Sequence, residues 1–188
     1  MLLLTVRILL ILYQAEEINR EGPLPQAGLI LSPDRRIMKL KDKVAVVTGS
    51  TSGMGKAIAR LFCEEGASVV ISGRDRERGD SLVGDLSSSG HQAVFVQGDV
   101  GKLDTNSRIL GSARDNFGGV DILVPCAGIL ALGSITDIGP EEWRDAVDTN
   151  INSIYYLLHL GIPELQKREK GNIVVIGSIA AYRGFPNH

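Results

Sequence analysis

From Lys43 onward, short apolar runs alternate with longer stretches whose apolar residues recur every three or four positions. Val44-Ala45-Val46-Val47 is apolar throughout, the pattern of a parallel strand covered on both faces. A glycine loop follows, then a predicted helix over 54–65 with Ile58, Leu61 and Phe62 at helical spacing and Gly66 as its stop. A second strand is expected at 68–72, and a polar, weakly periodic helix at 76–88. Strand 92–96 ends near Asp99-Val100, and a helix over 105–117 leads to strand 120–124. A long helix over 140–160 opens with Pro140, where the missing N–H is tolerated. Gly171-Asn172 then turns the chain into strand 173–176.

Five short apolar strands separated by helix-length segments call for right-handed βαβ units. The expected fold is therefore α/β: a Rossmann-type doubly wound parallel sheet in three layers. Residues 38–188 form that dinucleotide-binding domain. Residues 1–37 read as an extension outside it. The run 2–13 is apolar but interrupted by Arg7, and it falls short of the roughly 20 apolar residues of a membrane span. Its charge sits inside the run, where a signal peptide would carry it in front, and Gly22-Pro23-Leu24-Pro25 ends any helix. Three readings remain: a start assigned too far upstream, a weak targeting segment, or an amphipathic membrane anchor. Met38, directly before the first strand, favours the first. With no strand after 173–176, that strand would be an open apolar edge, prone to aggregate.

The 188 residues are 44% hydrophobic and 22% charged, with net charge −2, an ordinary globular balance. No basic block marks a nucleic-acid partner, since Arg74–Arg78 is interleaved with Asp75 and Glu77. Two cysteines, Cys63 and Cys126, are too few for a disulfide framework and fit a reducing compartment; a cytoplasmic protein is expected, without a metal site.

The chemistry begins at Thr48-Gly49-Ser50-Thr51-Ser52-Gly53-Met54-Gly55. Glycines between a buried strand and a helix allow a tight turn, close approach to phosphates and close helix–strand packing. The helix starting at Met54 aims its free N–H groups at the pyrophosphate. An acid ending the second strand would accept the ribose 2′-hydroxyl of NAD. Here the strand ends in Gly73-Arg74, which lacks that carboxylate and offers a guanidinium to a 2′-phosphate. NADP(H) is thus favoured over NAD(H), with a solvated helix-start arginine as the other reading. Asp99, with Val100, stands at the sheet's carboxyl edge, where it can serve the adenine or simply form a turn.

These motifs, with Ala127-Gly128 after the fourth strand, Asn150 in the long helix and Ser178 after the fifth, resemble the short-chain dehydrogenase/reductase family over residues 40–188. The resemblance covers the amino-terminal three-fifths of a typical member. It implies NAD(P)-dependent interconversion of a small-molecule carbonyl and an alcohol, in a cytoplasmic homo-oligomer. Residues 177–188 are most similar to members that reduce 3-oxoacyl thioesters, steroids or sugars. It also implies that Ser178 holds the substrate oxygen, and that Asn150 opens the helix and holds a water relaying protons to a lysine. That lysine lowers the pKa of a catalytic tyrosine. Tyr-x-x-x-Lys is absent: four places after Tyr13, Tyr155, Tyr156 and Tyr182 stand Glu17, His159, Leu160 and Pro186. Tyr155 and Tyr156 are expected to pack on an apolar helix face with Trp143, Val147 and Ile151. A catalytically silent nucleotide-binding module that pairs with a full-length relative is therefore the alternative. A further departure is Pro125-Cys126 where the family has two asparagines that tie strands together and contact the cofactor. Cys126 keeps its place in the expected cofactor site.

Overall fold

The computed structural model describes residues 5–9 and 38–178. The strands are β1 (Thr5–Leu9), β2 (Val44–Val47), β3 (Ser68–Gly73), β4 (Ala93–Gln97), β5 (Ile122–Val124) and β6 (Asn172–Ile176). The helices are α1 (Gly53–Glu64), α2 (Arg76–Ser88), α3 (Leu103–Phe117), α4 (Pro140–Val147) and α5 (Ser153–Leu165). A π-helical turn, Asp148–Asn152, joins α4 to α5.

All these strands pair in parallel, in the order β1-β6-β5-β2-β3-β4. The alternation along β2 sets the layers. Val44 and Val46 enter a core shared with Ile109 and Leu110 of α3 and Leu157 and Leu165 of α5. Ala45 and Val47 enter the opposite core, with Ala59 and Cys63 of α1 and Leu82 and Leu86 of α2. This is the expected three-layer, doubly wound sheet. The chain proceeds from β2 to β4 on one side and resumes at β5 on the other. The carboxyl ends of β2 and β5 therefore flank a reversal of strand order, the place where ligands bind in such sheets.

The sheet edge departs from expectation. Residues 1–37 were expected outside the fold, yet Thr5–Leu9 runs beside β6, with Thr5 opposite Asn172 and Leu9 opposite Ile176. An edge strand offers a row of unpaired N–H and C=O groups, and a short run of strand-forming residues satisfies it. The breaker cluster at 22–25, Tyr13 and Tyr182 lie outside the described residues.

Helix faces also differ in detail. In α1 the residues turned to the core are Gly55, Ala59 and Cys63, while Leu61 is exposed. The small residues let the helix lie close to the sheet. The long helix runs to Leu165 and is broken by the π-turn. Trp143, Ile151 and Tyr155 were expected to pack, but they are exposed on its outer side, and Tyr155 stacks on His159.

β5 is held without the family's asparagines. At its amino end the buried Asp121 carboxylate accepts the Val44 N–H at 2.9 Å. At its carboxyl end the Cys126 and Ala127 N–H groups both donate to Thr48 Oγ1, at 3.1 and 3.4 Å. The backbone donors thus find a threonine hydroxyl on the neighbouring strand.

α2 docks on β4 at Gly79, where a Cβ would fall on the Phe95 ring. Gly79→Ala is expected to lower Tm by about 5 °C, from roughly 2 kcal/mol of overpacking in a domain of this size. A thermal melt checks this; an unchanged Tm would show that the ring gives way freely.

Candidate functional site

An open cleft of about 280 Å³ lies at the carboxyl edge of the sheet, over the reversal between β2 and β5. Each wall follows a strand: residues 49–55 after β2, Gly73-Arg74 at the end of β3, Gly98 to Val100 after β4, and Cys126 to Ile129 after β5. Thr149 of the π-turn completes the lining.

The glycine loop shapes the floor. Gly49 has φ +64°, a left-handed backbone that side chains rarely adopt, and a Cβ there would stand 2.6 Å from Ala127 Cα. Gly55 lies where a Cβ would meet the Gly49 carbonyl, so α1 starts in direct contact with the loop. Ser52, the residue before α1, makes no capping bond from its side chain, and the first turn holds no acid. The first amides of α1 thus face the cleft uncapped, with the positive end of the helix dipole behind them. α2 is the contrast: Asp75 caps it by accepting the Arg78 N–H at 3.0 Å. These features suit a bound phosphate group.

Arg74 lines the cleft beside this loop and is exposed. Its neighbours are engaged, Arg76 with Asp80 at 3.9 Å and Arg78 with Asp75 at 3.1 Å. Among the described residues no carboxylate pairs with Arg74 itself. Asp75 thus caps α2, and the exposed Arg74 lines the cleft.

Asn150 does not line the cleft but braces its wall. Its Oδ1 accepts the Ile129 N–H at 2.8 Å, and its Nδ2 donates to the Ile129 carbonyl at 2.9 Å. Both ends of the amide thus bond loop backbone. The π-turn makes this reach possible. Its closing bond runs from the Ser153 N–H to the Asp148 carbonyl, five residues back. That leaves the Thr149 carbonyl without its α-helical donor, and the Ser153 hydroxyl supplies one.

The residues expected at a cofactor are mostly gathered here: Gly49, Thr51, Ser52, Gly53, Met54, Gly55, Gly73, Arg74, Asp99, Val100, Cys126, Ala127 and Gly128. Ser50 is not. It is fully buried, donating its hydroxyl to the Val47 carbonyl and accepting the Ser72 N–H, so it fastens the loop to β3. Ser178 is exposed just beyond β6, at the same edge of the sheet but outside the cleft lining. Gly98, Ile129 and Thr149 are additions. Burial pushes the Cys126 thiol above its ordinary pKa and, with Glu64 nearby, the Cys63 thiol up to about 11. Both are neutral thiols near pH 7. Among the described residues no cluster of His, Cys, Asp or Glu is placed to hold a metal ion, and no helix is long and apolar enough to cross a membrane.

Residues 43–188 match the family model described as short chain dehydrogenase. The chain belongs to the short-chain dehydrogenase family. It is 39% identical over 149 residues to dehydrogenase/reductase SDR family member 4 of Bos taurus, covering 79% of this chain and 53% of that relative. The chain thus spans about half the length of the bovine protein. Among solved structures it superposes with TM-score 0.77 and 31% identity on L-sorbose reductase from Gluconobacter frateurii, complexed with NADPH and L-sorbose. That match covers 81% of this chain and 59% of the reductase. A glucose/ribitol dehydrogenase-type family member from Brucella melitensis matches at TM-score 0.74 and 32% identity, over 79% of this chain and 62% of that one. This short-chain dehydrogenase chain therefore carries the family's parallel sheet, with Cys126 tied to Thr48 at the carboxyl end of β5.

Proposed function

We propose that the protein is an NADP(H)-dependent oxidoreductase that interconverts a small-molecule carbonyl and an alcohol, and that this chain holds its dinucleotide. One observation carries the reading: the uncapped amino end of α1 opens into the cleft beside Arg74, a cation with no carboxylate partner among the described residues. The first supports a pyrophosphate and the second a ribose 2′-phosphate. Asp99 then serves the adenosine end, and Cys126 to Ile129 the nicotinamide end. The NADPH bound by the Gluconobacter reductase is consistent with this choice. A bound nicotinamide supplies the hydride.

Within this reading, Ser178 donates to the substrate oxygen where negative charge develops, and Asn150 keeps the wall at Ile129 in place. The proton donor is a tyrosine tuned by a lysine, and no Tyr-x-x-x-Lys occurs in these 188 residues. A second reading is a dinucleotide-binding module without chemistry of its own. NADPH oxidation by the full-length protein on any carbonyl substrate would reject it. The exposed Trp143, Ile151 and Tyr155 support a homo-oligomer, and the composition supports a cytoplasmic protein without nucleic-acid or membrane partners.

The cofactor choice is tested at Arg74. Arg74→Ala is expected to weaken NADPH binding about 10- to 100-fold, the equivalent of one charge-assisted bidentate contact, with NADH affinity almost unchanged. Equal effects on both dinucleotides would remove Arg74 as the discriminator.

A further inference from the structure

The π-turn is part of the cleft wall, and one side chain spans it. Asp148 Oδ1 accepts from Asn152 Nδ2 at 2.7 Å, bridging the first and last residues of the turn. Its other oxygen lies 3.6 Å from Lys102 Nζ at the start of α3. Gly101 sits between them: a Cβ there would stand 3.1 Å from Asp148 Cβ, so the loop after β4 rests directly on the turn. That same loop is fastened by Asp99, whose Oδ1 accepts the Gly101 N–H at 2.9 Å. Asp99 and Thr149 both line the cleft, and Asn150 holds Ile129, which lines it too.

We infer that Asp148 is a positioning residue: by bridging the π-turn to Asn152, it sets the wall formed by Thr149 and the Asn150-braced Ile129, and so the fit of the nicotinamide half of the dinucleotide. The inference rests on the dinucleotide reading above. The bond to Asn152 carries the effect. It is short and closes the turn, whereas the Lys102 contact is longer and joins a largely exposed ammonium, an arrangement worth little. Within the turn the Thr149 carbonyl lacks its α-helical N–H donor, so a side-chain bridge weighs more there. Asp148 bonds none of Gly73, Arg74, Gly98 and Asp99, which wall the adenosine end; it meets the loop after β4 only beyond them, at Gly101 and at the weak Lys102 contact. Loss of the bridge should therefore divide the two halves of the ligand.

The test uses the full-length protein and calorimetric titration with two ligands: NADPH, and adenosine 2′,5′-bisphosphate as the adenosine half alone. For Asp148→Ala the NADPH dissociation constant is expected to rise about tenfold, while that of the bisphosphate stays within about twofold. Asn152→Ala removes the same bond from the other side and should reproduce this pattern even if the aspartate variant folds poorly. Asp148→Asn retains an acceptor oxygen for Asn152 and should restore most of the NADPH affinity. Equal weakening of both ligands, no change in either, or an Asp148→Asn variant as impaired as Asp148→Ala would overturn the assignment. Wild-type protein that binds neither ligand would instead sink the dinucleotide reading itself, an outcome visible before any variant is made.

Discussion

Gly55→Ala is expected to abolish dinucleotide binding, raising the NADPH dissociation constant at least about 100-fold, with a fall in Tm of several degrees. The added methyl would meet the Gly49 carbonyl, with Gly49 C at 2.8 Å and Ser50 Cα at 2.9 Å. All of these are backbone atoms of the loop that must cradle the phosphates, so no side chain can swing aside. Either α1 withdraws from the loop and its amides lose their aim, or the loop itself shifts. Both outcomes spoil the site. Gly84→Ala is the control: Gly84 is exposed in α2 with nothing within 4 Å of a Cβ. There alanine improves helix propensity by up to about 1 kcal/mol and leaves NADPH binding unchanged. Paired calorimetry and thermal melts of the two variants check the contrast; NADPH binding retained by Gly55→Ala would refute the close contact.

Asn150 should give the second large effect. Asn150→Ala deletes both hydrogen bonds to Ile129 and leaves a half-buried N–H and C=O to find water. A cost of about 2 kcal/mol follows, hence a Tm lower by roughly 4–8 °C and NADPH bound at least about tenfold more weakly. Asn150→Asp should do no better despite its similar shape. One carboxylate oxygen still accepts the Ile129 N–H, but the other meets the Ile129 carbonyl, an acceptor facing an acceptor. An aspartate variant that behaved like wild type would show that the donor half of the bracket is dispensable.

The legible part of this molecule was the part written in local pattern. α2 spans the residues its polar composition and flanking signals marked, 76–88, and β2 is buried on both faces as an unbroken apolar run demands. The glycine loop was legible for a different reason: Gly49 and Gly53 take positive φ, and Gly55 lies against the Gly49 carbonyl six residues away. The rest depended on partners far away in sequence. β1 is five residues with Arg7 in the middle, a run too short for periodicity to classify, and its partner β6 lies at the far end of the described chain. Leu61 looked like a core residue at helical spacing, but the sheet accepted the smaller Ala59 and Cys63 face. The π-turn left no signature in apolar spacing. It follows from what Asn150, Asn152 and Ser153 bond, which also explains why Thr149 and Ile129 entered the cleft lining unforeseen. Ser50 carries the same lesson in reverse. Its place in a binding loop suggested a ligand contact, yet the nearest backbone groups claimed its hydroxyl first.

Titration of the full-length wild-type protein with NADPH and with NADH tests the central claim most directly. The expected result is saturable, one-to-one binding of NADPH, tighter than that of NADH. Absence of saturable binding by either dinucleotide would contradict the assignment of this cleft.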